Sequence, residues 1–155
     1  MGRLYAVSIV AQAVSVAVDL FEIAPADDRP VALHALSIGQ TSDVGDAAEE
    51  LLGITIVRGH TTSGSGGSAS TPAPLAPNDA AAGFVAETLN TTLASAGTAV
   101  TLHADVWNVR AGYQYIWTPE TRPVATQANG TIIVRHTAPA DSLTLSATLL
   151  IEELA

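Results

Sequence analysis

Residues 24–67 read APADDRPVALHALSIGQTSDVGDAAEELLGITIVRGHTTSGSGG. Two apolar runs, 31–38 and 51–57, flank a polar connection containing Gly and Asp. In the first run Val31, Leu33, Ala35 and Ser37 share one parity, and Ala32, His34, Leu36 and Ile38 share the other. In the second, Leu52, Ile54 and Ile56 alternate with Leu51, Gly53, Thr55 and Val57. A period of two with β-branched residues is the pattern of strands, whose successive side chains point to opposite faces. The pair is entered through the corner PADDRP at 25–30. Its prolines set φ, and its Asp side chains take nearby backbone N–H groups. The pair is left through a Gly/Ser run. Within the connection, 46–50 admits two readings. One is a helical turn capped by Asp46 with Glu49 three residues on; the other is the opening of the second strand, which the alternation from about residue 49 favours.

The same pattern repeats outward. Over 4–18 both parities are apolar or small, which fits a long strand covered on both sides or lying against a neighbouring subunit. Ser8, Gln12, Ser15 and Asp19 interrupt that stretch, so it reads as a strand and not as a secretory or membrane-spanning segment. A short strand follows at 20–23. Further strands are expected at 84–89, 100–109, 113–117, 131–136 and 142–152, with Asn129-Gly130 as the turn before the fourth. Between them, 60–79 reads HTTSGSGGSASTPAPLAPND. Its first half is flexible by composition, and its second half is extended and unable to pair centrally. No segment shows a convincing helical stripe. The expected fold is one all-β domain over 1–155: a β-sandwich of jelly-roll type with about eight antiparallel strands and one long Gly/Ser/Pro loop.

Composition narrows the function. The chain has 155 residues, enough to bury a core without a metal or disulfide. Charged residues are 14% of the chain, against about 25% in average usage. So low a fraction suggests that part of the surface faces protein. The net charge is −9 and the six basic residues are all Arg, spread singly. No basic cluster follows a phosphate backbone, which argues against direct nucleic-acid binding. There is no Cys, hence no disulfide or thiolate site.

Chemistry-bearing motifs are weak. His34, His60, His103 and His136 fall in no metal-ligand spacing, and the mid-strand His34 and His103 read as satisfied structural side chains. The acidic pairs Asp27-Asp28, Asp43/Asp46 and Glu49-Glu50 lie in turns, where carboxylates cap backbone N–H groups. Gly64-x-Gly66-Gly67 lacks the Lys and the following helix of a phosphate loop. No nucleophile elbow is present. No catalytic residue, metal ligand or cofactor is therefore assigned. Tyr113, Tyr115 and Trp117 share one face; they read as core packing or, alternatively, as a sugar-stacking platform in a carbohydrate-binding module.

The segment 21–77, from FEIAPADDRP through the Gly/Ser run to TPAPLAP, resembles a group of small structural proteins encoded by tailed bacteriophages. The resemblance continues through NTTLASAGT at 90–98, the aromatic strand before Pro119-Glu120 and ADSLTLSATLLIEEL at 140–154. It implies a virion component, most plainly a capsid decoration (cement) protein that stabilises a phage head from its outer surface after synthesis in the host cytoplasm. It further implies a homo-oligomer, a trimer being favoured, with the phage major capsid protein as partner and no contact with membrane. A head or tail fibre component is the alternative, and a jelly-roll shell protein a more distant one. Contacts between copies are expected from Arg3, Tyr5, Val7 and Ile9 on the first strand and from Thr62, Ser63, Ser65, Pro72, Pro74 and Leu75 on the arm. On this view, deleting 62–69 weakens assembly more than folding, because a flexible loop contributes little core.

Overall fold

The computed structural model describes residues 2–42 and 50–154. The helical-turn reading of 46–50 and the acidic residues Asp43, Asp46 and Glu49 thus lie outside the described residues, apart from Glu50. The long strands are β1 (Arg3–Val14), β2 (Val18–Ala24), β3 (Val31–Gln40), β4 (Leu51–His60), β7 (Val85–Asn90), β8 (Val100–Asn108), β11 (Thr131–His136) and β12 (Leu143–Glu153). Short ones are β5 (Ser68–Ser70), β6 (Ala73–Pro74), β9 (Tyr113–Ile116) and β10 (Val124–Ala125). They form two antiparallel sheets. In the first, β12 lies between β1 and β3, β6 extends the β1 side, and β9 and β10 pair successive parts of the other edge of β3. The second runs β5-β7-β2-β11-β4-β8. The expected all-β sandwich is what the chain forms.

The core lies between the sheets and follows the alternation. Leu52, Ile54 and Ile56 of β4 point inward, as do Leu143, Leu145, Leu149 and Ile151 of β12. Each such side chain contributes roughly 1.5–3 kcal/mol on full burial. On β1 the inward set is Tyr5, Val7 and Ile9. Tyr5 packs edge-on to Phe84 at 5.5 Å, and its hydroxyl donates to the Ala80 carbonyl at 3.0 Å.

The first strand is shorter than expected. It ends at Val14, and 15–17 carry the chain to the opposite sheet. Before that corner, Ile9 pairs Ala147 and Gln12 pairs Leu145, so β1 carries an extra residue there. Ala11 has φ +48, and its N–H donates to Ser146 Oγ at 2.9 Å. This bulge reverses the parity of the strand: Val10 is 72% exposed, while Val14 returns to the core.

The Gly/Ser/Pro segment is laid down on the chain's own sheets. Thr62 bridges Ser95, Ser65 bridges Thr92, β5 pairs β7, and Ala73–Pro74 pairs the free edge of β1. Pro74 sits where an edge strand tolerates a missing N–H. The arm is closed at its base by Gly59, whose φ is +107 and whose added Cβ would run into the Thr98 carbonyl. Gly59→Ala should lower stability by about 1–3 kcal/mol through that strain. The check is the urea midpoint at unchanged m-value; an unmoved midpoint would contradict the crossing of 59 and 98.

Candidate functional site

Strand β2 explains why the arm is ordered. Its residues from Val18 through Ile23 are all buried, although only one face meets the core. The outward side chains include Asp19 and Glu22, at 0% and 3% exposure. Such carboxylates persist only where partners replace water. Asp19 Oδ2 accepts the Ala94 N–H at 2.7 Å, and Arg135 Nε donates to Asp19 Oδ1 at 2.7 Å. Arg135 Nη2 reaches both Asp19 Oδ2, at 3.2 Å, and the Ala94 carbonyl, at 2.9 Å. Glu22 Oε2 accepts the Gly64 N–H at 2.9 Å and Asn90 Nδ2 at 3.0 Å. Ile133, in register with Glu22 and Val57, is fully buried on this outer side. The arm is thus a lid over the second sheet, fastened directly by Glu22 through Gly64 and, through the Thr62–Ser95 bridge, by the neighbouring loop that Asp19 and Arg135 hold at Ala94.

Several sequence expectations change accordingly. Gly64 contributes its N–H to an anion after all, but the anion is the chain's own Glu22. Asn90 is 1% exposed, with its amide on Glu22 and on Glu87 Oε2 at 2.8 Å, so it is part of the same latch. Deleting 62–69 would uncover Glu22 and remove its Gly64 donor, so the expected loss falls on folding as well as on any assembly.

A second polar cluster ties the ends of the chain together. His34 is the extra residue of β3 where Ala35 pairs Leu150 and Leu33 pairs Ile151, and the bulge turns it outward. Its Nε2 lies 2.6 Å from Glu152 Oε2, which Arg122 Nη1 also reaches at 2.8 Å; Glu152 Oε1 accepts the Gly2 N–H at 3.0 Å. Burial acts to raise the Glu152 carboxyl, but the hydrogen bonds from His34 and Gly2 and the charges of His34 and Arg122 outweigh it and hold the group below the usual range. Next to it, Glu153 accepts Arg29 Nη1 at 3.3 Å and the Gly83 N–H at 2.6 Å.

The aromatic face turns inward. Trp117 is 5% exposed, and Tyr113 and Tyr115 pack against the core. His103 lies against Tyr115 at 4.4 Å and edge-on to Trp117 at 5.9 Å. The Tyr113 hydroxyl donates to Asp105 Oδ2 at 3.1 Å. Burial first, then the bond to Asp105 and its charge, push the Tyr113 hydroxyl far above its ordinary value. An indole in that position offers no platform to a sugar. The remaining histidines have separate partners: His60 Nδ1 sits 3.1 Å from the Ala96 carbonyl, and buried His136 takes the Trp107 indole N–H on Nε2 at 3.1 Å. Among the described residues no group of three His, Asp or Glu is placed to hold a metal.

Of the residues expected at contacts between copies, Tyr5, Val7 and Ile9 are corrected. Their parity faces the chain's own core, at 0%, 1% and 4% exposure. Arg3, Thr62, Ser63, Ser65 and Leu75 are exposed, and Pro72 and Pro74 half-buried. They are spread along the arm and the start of β1 and do not form one patch with the buried trio.

What sequence reasoning missed is the opposite side of β1. Register places Ala6 beside Leu150, Leu150 beside Ala35, and Ala35 beside Ile116, an apolar rung four strands wide. The next rung is Ser8, Thr148, Ser37 and Gln114, polar but uncharged. All eight are half-buried or exposed. Among the described residues, the charged groups of this face, Glu152 and Arg122 with His34, sit at one end and neutralise one another. The signal was present in the sequence: a strand apolar on both parities has one face left after the core is filled.

Searches against protein-family models, curated proteins and solved structures return no match.

Proposed function

We propose that this chain is a structural component of an assembled particle, a virion protein of capsid-decoration type that acts through contact area and not through turnover. One observation carries the reading: the outer face of the β9-β3-β12-β1 sheet is a broad, uncharged, outward surface. Aliphatic groups gain when water is removed from them, and hydroxyls that keep a hydrogen-bond partner, as Ser8 and Thr148 do, lose little, whereas a solvating surface is ordinarily charged. The basic side chains support it from the other side. Arg29, Arg122 and Arg135 pair with carboxylates of the chain itself, and Arg58 Nη1 donates to the Val124 carbonyl at 2.6 Å. They hold loops and ends.

The order β1-β12-β3-β9 over β2-β11-β4-β8 supports jelly-roll connectivity: taken in chain order, these eight strands change sheet at every step except from β4 to β8, in the manner of interleaved Greek keys. The phage assignment itself rests on the resemblance of 21–77, 90–98 and 140–154. Its test is sedimentation of the purified chain with heads of the phage that encodes it. Saturable pelleting at a fixed ratio to the shell subunit is expected; a chain that stays in the supernatant at every concentration contradicts the decoration role.

A further inference from the structure

We infer that the outer face of the β9-β3-β12-β1 sheet is a self-complementary interface that takes a second copy of this chain, face to face across a twofold axis. The inference rests on the reading of the chain as an assembly component and names the surface and the partner.

Charge selects the partner. Two copies of a chain of net charge −9 repel, and a contact between them is favourable only where no carboxylates are brought together. The two rungs provide such a region, while the carboxylate at its end, Glu152, is already matched by Arg122. A basic partner would gain nothing from a neutral face. The hydroxyls also enter a contact already partnered: Ser8 Oγ and Thr148 Oγ1 are 3.0 Å apart, and Ser146 Oγ takes the Ala11 N–H. Burying them costs less than burying free hydroxyls.

Shape agrees with charge. Gly39 has open space where a Cβ would stand, leaving a shallow groove of about 380 Å³ between β3 and β12, lined by Ser37, Gly39, Ser146 and Thr148. One strand away, the β1 bulge raises Val10 beside Ser146. A twofold axis lying in the interface along the strands, between β12 and β1, carries Val10 of each copy over the groove of the other. That is the isologous arrangement, in which each knob meets the partner's hole. The size reaches the lower end of specific contacts. Strands β3, β12 and β1 at about 4.8 Å spacing, over the eleven residues of β12 at about 3.4 Å each, span roughly 540 Å² in plan. Specific interfaces start at roughly 600 Å² per partner, and the relief of the bulge and groove adds accessible area to the plan.

The test is sedimentation equilibrium of the full chain and three variants, with urea melts to establish folding. Val10→Glu puts a carboxylate at a position 72% exposed on the knob; Val85→Glu makes the same change at a position 60% exposed on the other sheet. The wild type is expected to form a reversible dimer, Val10→Glu to weaken it by roughly a hundredfold, and Val85→Glu to leave it unchanged. If Val10→Glu fails to fold, the exposed Ser8→Glu replaces it with the same expectation. A folded Val10→Glu or Ser8→Glu that dimerises like the wild type overturns the interface. So does a wild type that is monomeric throughout or forms a trimer. None of these outcomes touches the assembly reading if the chain still pellets with phage heads; loss of pelleting, with dimerisation intact, would remove that reading and leave the interface standing.

Discussion

Arg135→Met should destabilise the fold by about 3–5 kcal/mol, the cost of leaving a buried charge without its partner. The affected group is Asp19, fully buried beneath the arm, while the Arg135 side chain keeps 25% of its surface in water. That asymmetry orders the single variants. Asp19→Leu strands a guanidinium that water partly solvates, so it should cost less than Arg135→Met, although it also orphans the Ala94 N–H. In a cycle with Asp19→Leu, the double variant should recover part of the loss, because an apolar pair removes both charges. It should still fall short of wild type by about 1–3 kcal/mol for the unsatisfied N–H. Urea denaturation of the four proteins measures this, and equal costs for the two single changes would contradict the burial of Asp19. The arm should register the same event as faster hydrogen exchange at Gly64 and Ala94.

The second large effect is a loss of stability in mild acid. Burial pushes His136 down to about 4, with the Thr137 backbone acting weakly in the opposite direction. Its Nε2 must stay unprotonated to accept the Trp107 N–H, and its Nδ1 has no hydrogen bond of good geometry. In the unfolded chain the group takes its proton near pH 6.5; in the folded chain it does so only near pH 4. Between those values the unfolded state binds more protons, so stability falls as the pH falls. The full difference is about 3 kcal/mol, reached near pH 4. His136→Gln keeps an acceptor for Trp107 and removes the titration. Its stability should be nearly flat from pH 6.5 to 4.5, where that of the wild type drops. Parallel curves would assign the acid sensitivity elsewhere. Below that window the Glu152 cluster adds its own loss, since its lowered carboxyl must be protonated as its ties to Gly2, His34 and Arg122 break.

Alternation made most strands legible. The run at 131–136 was read to the residue, and those at 31–38 and 51–57 fell short only at their C-terminal ends, because a half-buried strand declares its period wherever both faces are chemically distinct. It failed where they are not. Strand β1 is apolar or small on both sides, so its inward parity was undetermined, and three of the four contact residues chosen on it, Tyr5, Val7 and Ile9, proved to be core. The turn at 15–17 carries no Gly or Pro and was invisible for the same reason that Ala11 is: its conformation is imposed by pairing with β12. The arm reads as flexible because nothing local holds it. What fastens it is Glu22, over 40 residues earlier, and, through the bridge from Thr62 to Ser95, the loop that Asp19 holds. Two acids within the otherwise apolar 18–23, and an Arg within the equally apolar 131–136, were the available hint. Charges embedded in a strand buried on both faces imply partners elsewhere in the chain. The two apolar sides of β1 were a signal for an uncharged outer face, but the extent of the rungs could not be read in advance, since they exist only once four strands are in register.

The most direct test of a chain that works by neutral contact area is its sedimentation as salt is raised from low to high concentration. The account predicts a species heavier than the 15.8 kDa monomer whose association tightens with salt, because screening relieves the repulsion between acidic copies while the uncharged contact is unaffected. A single 15.8 kDa species at every concentration, or an oligomer that salt dissolves, would contradict it.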